Sequence, residues 1–186
     1  MEAAKNFEIN KIAKVIFIAA LGTLLLTISA KIKIPFYPVP MTMQTFVVLF
    51  LGVTVGAKIG LLTVTLYFFE GIFGLPVFAG TPEKGIGLIY FTGPTMGYLI
   101  GFLVAVYLSG TFKYNKGMIN SFFKLLFSVS FIYILGLIWL GTLIGWDKPV
   151  FKLGAQPFLL AELFKILLLL FLIPVFLKAK KKLKII

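Results

Sequence analysis

The chain contains no cysteine and no histidine, and no arginine either: all eighteen of its basic residues are lysine. Those absences remove thiol nucleophiles, disulfides, Cys/His metal sites and imidazole general bases from the available chemistry. Acid is also scarce. Six acidic residues stand against the eighteen, a formal charge of +12, and Asp147 is the only aspartate, so no pair of aspartates can form. No Gly-Lys dipeptide occurs anywhere, which excludes a Walker A phosphate cradle. Uphill transport by this chain would need another subunit or an ion gradient to supply the energy.

Apolar residues fill the space that charge leaves. They make up 60% of the 186 positions, with 13% charged, against ~45–50% and ~25% in a soluble domain. Six membrane spans of ~20 residues would use ~120 positions and leave roughly 66 for loops and tails. No room remains for an appended soluble domain, so one integral membrane domain over 1–186 is expected. The lysines argue against nucleic acid as a partner, because they cluster at the ends of apolar runs, where they orient membrane helices.

The first apolar run, Val15 to Ala30, follows Lys5, Lys11 and Lys14. A signal peptide is the rival reading, since Ser29 and Ala30 are small, but five further apolar runs follow. Pro35, Pro38 and Pro40 lie within the stretch from Lys31 to Met41 and forbid a regular helix there. Ile34, Phe36 and Val39 make that connection apolar and predict an ordered extended loop. Further spans are expected at about 42–56 and 59–73, both short, with a tight turn at Ala57 and Lys58. A Gly/Pro-rich connection then runs from Gly74 to Thr92, followed by spans at about 94–112, 122–144 and 157–177. Trp139 and Trp146 bracket the end of the fifth span, as an interfacial aromatic belt would.

Six spans put both termini on one side. Lys5, Lys11, Lys14, Lys58, Lys113, Lys116, Lys124, Lys178, Lys180, Lys181, Lys182 and Lys184 share that side, against Lys31, Lys33, Lys84, Lys148 and Lys152 on the other. Twelve against five predicts cytoplasmic termini and places the three long connections outside. Glycines recur at fourth positions as Gly52, Gly56 and Gly60, then as Gly93, Gly97 and Gly101. Such spacing lets helix backbones approach closely, and packing within the bundle is the simplest use of it. Ala19 and Thr23 form a comparable small face on the first helix.

Three ionisable residues fall inside apolar runs: Glu70, Glu162 and Lys165. Each costs ~2.5–3.5 kcal/mol to insert at the centre of a span, which makes it a functional candidate. Glu162 and Lys165 are three apart and share a helix face. Counting back from Lys178 at ~1.5 Å per residue puts them ~20–24 Å from the inner boundary, ~6–10 Å below the outer one. A self-satisfied ion pair is the bland alternative, although such pairs rarely add net stability over apolar isosteres. Gln44, at the outer start of the second span, adds an amide. Two readings of Glu70 stand: it lines the same cavity, or it sits near an outward turn within reach of water.

These stretches resemble the BioY family, the biotin-specific S components of energy-coupling-factor (ECF) transporters. The resemblance rests on Ile34-Pro35 with Pro38-Val39-Pro40-Met41-Thr42-Met43-Gln44-Thr45, and on Gly74-Leu75-Pro76-Val77-Phe78-Ala79-Gly80. Gly93-Pro94-Thr95-Met96-Gly97-Tyr98 and Pro157-Phe158 followed by Glu162 and Lys165 complete it. It covers about residues 15–177.

The resemblance implies an all-α S-component bundle of six transmembrane helices in the bacterial cytoplasmic (inner) membrane, with no catalysis and no cofactor. An outward-facing biotin pocket would be capped by the first and third external connections. It also implies a transmembrane coupling protein and two ABC-type ATPases as partners, met through a small face at Ala19 and Thr23. On this reading Glu162 accepts from a ureido N–H, and Lys165 meets the ureido carbonyl or the tail carboxylate. Gln44 bonds the ligand from the opposite wall, and Phe78, Gly80, Tyr90 and Tyr98 complete the pocket, with ordinary core packing the alternative use of Phe78, Tyr90 and Tyr98.

Two departures stand out. The family carries aspartate where this chain has Glu162, and the Gly-rich connection here reads Thr81-Pro82-Glu83-Lys84, with Met96 also replacing a glycine. The alternatives are an S component for thiamine or riboflavin, an intramembrane enzyme pairing Glu70 with Glu162, and a scaffold without ligand. That last would leave the buried charges unexplained.

Overall fold

The computed structural model describes residues 2–34 and 37–183, with side chains over 11–33 and 37–178. The expectations for Pro35 and Phe36, for the side chains of Ile34 and Lys5, and for the last lysines lie outside those residues. The described residues form seven α-helices: α1 (Glu2–Lys31), α2 (Gln44–Val55), α3 (Ala57–Ile72), α4 (Met96–Thr111), α5 (Met118–Ile144), α6 (Val150–Gly154) and α7 (Leu159–Leu183). A 3-10 turn over Gly87–Thr92 precedes α4 and another over Gln156–Phe158 precedes α7. Two strands of two residues each, β1 (Lys33–Ile34) and β2 (Met41–Thr42), pair antiparallel with Lys33 opposite Thr42. This short ribbon closes the proline-rich connection back on itself.

Helix α4 is the centre of the bundle and packs on α5, α2 and α3; α1 covers α3, and α7 covers α2 and α5. Glycine explains the closeness. A Cβ on Gly52 or Gly60 would collide with the Val106–Ser109 region of α4, and one on Gly97 or Gly101 with the α5 backbone near Leu135 and Ile132. Gly93 and Gly56 do otherwise. Gly93 lies ahead of α4, and Gly56 (φ +84°) is the single residue joining α2 to α3. The turn expected at Ala57 and Lys58 is therefore one residue earlier, because only glycine enters that backbone region without strain.

Among the described residues three segments are long and apolar enough to cross a membrane: Lys11–Lys31, Met118–Ile144 and Val150–Lys178. Helices α2 and α4 are apolar but shorter, with 12 and 16 residues. The segment expected as one helix over 157–177 is a longer composite, since Pro157 interrupts regular α-helix and forces the 3-10 turn before α7. Trp139 has an internal role as well. Its indole N–H donates to the Gly93 carbonyl at 2.9 Å and ties α5 to the start of α4; Trp146 stays exposed.

Candidate functional site

The N-terminal ends of α2 and α7 meet in the bundle, and the buried charges lie where they meet. Glu162 is in the first turn of α7, where unpaired helix N–H groups favour a carboxylate. Lys165, one turn on, donates to Glu162 Oε1 at 2.7 Å, to Thr45 Oγ1 at 3.0 Å and to the Thr42 carbonyl at 2.7 Å. All three N–H donors of its ammonium are thereby engaged. Thr45 donates in turn to Glu162 Oε1 at 2.9 Å. Glu162 and Lys165 retain 5% and 6% exposure.

The other carboxylate oxygen is different. Glu162 Oε2 is buried and accepts no hydrogen bond of full geometry among the described residues. Tyr133 of α5 stands within loose hydrogen-bonding reach of the carboxylate, without the geometry of a full bond to Oε2. A buried acceptor left unmatched costs about 1–3 kcal/mol, more when charged, so an external donor there would be strongly held.

Glu162 and Lys165 line a cavity of about 50 Å³ with Gln44, Thr42, Thr45, Tyr90, Tyr98 and Tyr133. Val39, Pro40, Met41 and Ala79 form its loop wall; Leu99, Phe102, Ile132 and Phe158 form its apolar floor and sides. Gln44 Nε2 donates to the Tyr67 hydroxyl at 2.8 Å, and Tyr67 donates to the Val77 carbonyl at 2.9 Å. Tyr90 donates to the Ala79 carbonyl and Tyr98 to the Gly154 carbonyl, both at 2.8 Å. Burial pushes the Tyr90 hydroxyl above its ordinary range, against a smaller opposing effect from Thr95. Tyr90 and Tyr98 thus line the cavity while their hydroxyls are spent on backbone carbonyls.

Five expected site residues therefore come together: Gln44, Glu162, Lys165, Tyr90 and Tyr98. Phe78 and Gly80 do not. Phe78 is buried beneath the loop against Tyr90, Tyr67 and Phe91, with ring centroids at 4.7, 5.1 and 5.3 Å, and Gly80 (φ +81°) turns the chain under the stem of Lys84. Ala19 and Thr23 lie on α1, away from the cavity; within the chain they are 1% and 4% exposed, and Thr23 also borders a groove with Thr27 and Leu75. Glu70 does not line this cavity but opens onto a separate groove with Thr23, Thr27 and Leu75, the second of its two readings, and the alternative enzyme is left without its carboxylate pair. Thr45 and Tyr133 were missed. The signal for Tyr133 was a phenol within an apolar span, which needs a polar neighbour.

Comparison with known proteins agrees with this architecture. The model of the BioY family matches residues 2–182. "Probable biotin transporter BioY" of Pyrococcus horikoshii is 35% identical, covering 82% of this chain and 90% of that protein. "Biotin transporter BioY" of Thermotoga maritima is 36% identical over 80% of this chain and 86% of its own length. The crystal structure of the S-component for biotin from an ECF-type ABC transporter superposes with a TM-score of 0.76 at 25% identity, covering 91% of this chain and 93% of that one. The chain belongs to the BioY family.

Proposed function

We propose that this chain binds biotin from the outer side of the cytoplasmic membrane and serves as the S component of an ECF transporter. Its family is one of transporter substrate-binding subunits, not of enzymes. On this reading α1, α2, α3, α4, α5 and α7 make six crossings of a single domain with both termini inside. A coupling protein and two ABC-type ATPases supply the energy for release.

The observation that carries the reading is the unmatched Glu162 Oε2 in a polar cluster beside the cavity. Biotin's ureido ring has two N–H donors and one carbonyl, and Oε2 is an acceptor waiting for a donor. Lys165 has no donor to spare, so its part is to hold the carboxylate in place. Gln44 and the aromatic and aliphatic residues around the cavity flank the bicyclic body. At about 50 Å³ the space is well below the ~300 Å³ of ordinary ligand pockets, so loading requires the loop wall to part.

The test is a panel of radiolabelled vitamins against the purified chain. Biotin is expected to be retained, with thiamine and riboflavin passing through. Retention of either in place of biotin would transfer the site to another ligand.

A further inference from the structure

We propose that Lys31 is a positioning residue that latches the connection over 73–86 onto the end of α1 and so sets how fast the cavity exchanges its ligand. The inference rests on biotin as that ligand only for its kinetic readout. Lysine at a helix C-terminus ordinarily extends toward water or serves its own last carbonyls. Lys31 crosses to another segment instead. Its ammonium donates to the Phe78 carbonyl at 3.1 Å, the Thr81 carbonyl at 3.2 Å and Thr81 Oγ1 at 3.1 Å. All three donors are spent on one short piece of chain, and Thr81 Oγ1 donates on to the Phe78 carbonyl at 2.7 Å.

Those bonds complete a set. The carbonyl of Val77 is held by Tyr67 from α3, that of Phe78 by Lys31 from α1, and that of Ala79 by Tyr90 from the 3-10 turn. Tyr67 and Tyr90 are buried, whereas Lys31 is exposed. Water can compete for the Lys31 bonds first. Ala79, in the middle of the held segment, is part of the cavity wall. Gly74 (φ +90°), with open space around its Cα, and Gly85 (φ +89°) bracket the segment, the kind of positions that absorb hinge rotation. Releasing Lys31 therefore frees Phe78–Thr81, and with it Ala79, from the mouth of a cavity too small to load as it stands.

The experiment compares wild type, Lys31→Gln, Lys31→Arg and a control, Lys33→Gln, in lipid nanodiscs. In ligand-free protein, hydrogen exchange is read at the amides of Thr81, Lys84 and Gly85, which are bonded within the loop. Lys31→Gln is expected to speed exchange there by about tenfold, as loss of charge-assisted bonds implies, and to leave α5 unchanged. Lys31→Arg, which can still donate to the same carbonyls, should restore most of the protection, and Lys33→Gln should behave as wild type.

With bound radiolabelled biotin, Lys31→Gln should raise the dissociation rate about tenfold and the association rate with it, so that Kd moves less than either rate. A variant that merely folds poorly would bind less biotin but release it at the wild-type rate, which counts against the latch. Unchanged loop exchange in Lys31→Gln overturns the proposal. If the wild type binds no biotin, the ligand assignment fails, and the exchange measurement still decides the latch.

Discussion

Thr45 and Glu162 lie 117 positions apart and are joined by a 2.9 Å hydrogen bond, with the Lys165 ammonium bonded to both. One hydroxyl from α2 therefore fixes the orientation of a carboxylate on α7. It occupies Oε1 together with Lys165 and leaves Oε2 unmatched. The site is a polar cluster held rigid on one side and open on the other.

Breaking that cluster on one side should be worse than removing it. Lys165→Met leaves Glu162 buried without its cation, at a cost of about 3–5 kcal/mol. Adding Glu162→Gln removes the stranded charge and should recover much of the loss in melting temperature, while biotin binding stays absent. Additive losses in the double variant would mean that the two side chains do not act as a pair.

The absence of native cysteine gives single-cysteine labelling a clean background. Cysteines replacing Lys84 and Lys148 should react with a membrane-impermeant maleimide on intact cells. Those replacing Lys58 and Lys116 should react only after permeabilisation. The reverse pattern would invert the orientation inferred from lysine counting.

Gly101→Ala places a Cβ 2.5 Å from the Ile132 Cα and 3.1 Å from the Phe131 carbonyl. Backbone cannot step aside as a side chain can, so we expect destabilisation of about 1–3 kcal/mol. Gly93→Ala meets only the Tyr90 carbonyl, at 3.3 Å, and should melt much closer to wild type. Equal melting of the two variants would show that the α4–α5 approach is not what constrains Gly101.

What could be read from the residues follows the cost of burying them. Glu162 and Lys165 announce themselves because charge inside an apolar run is expensive, and their three-residue spacing fixes a shared face whatever the helix packs on. Phe78 and Ala19 are less legible for the complementary reason. An aromatic ring in a loop motif and an alanine on a helix face are equally at home in a core, and only the tertiary arrangement decides. Thr45 was invisible as a site residue because its role depends on a helix more than a hundred positions away. Helix ends suffered similarly: Gly56 terminates α2 through a positive φ that the spacing pattern had assigned to packing.

The central claim is that Glu162 offers biotin its one unmatched acceptor, and isothermal titration of biotin into wild type and Glu162→Gln tests it most directly. Wild type should bind, and the amide variant, which folds around the same volume, should lose roughly 10- to 100-fold in affinity, the worth of one charge-assisted hydrogen bond. Equal affinity in the two proteins, with both folded, would contradict the account.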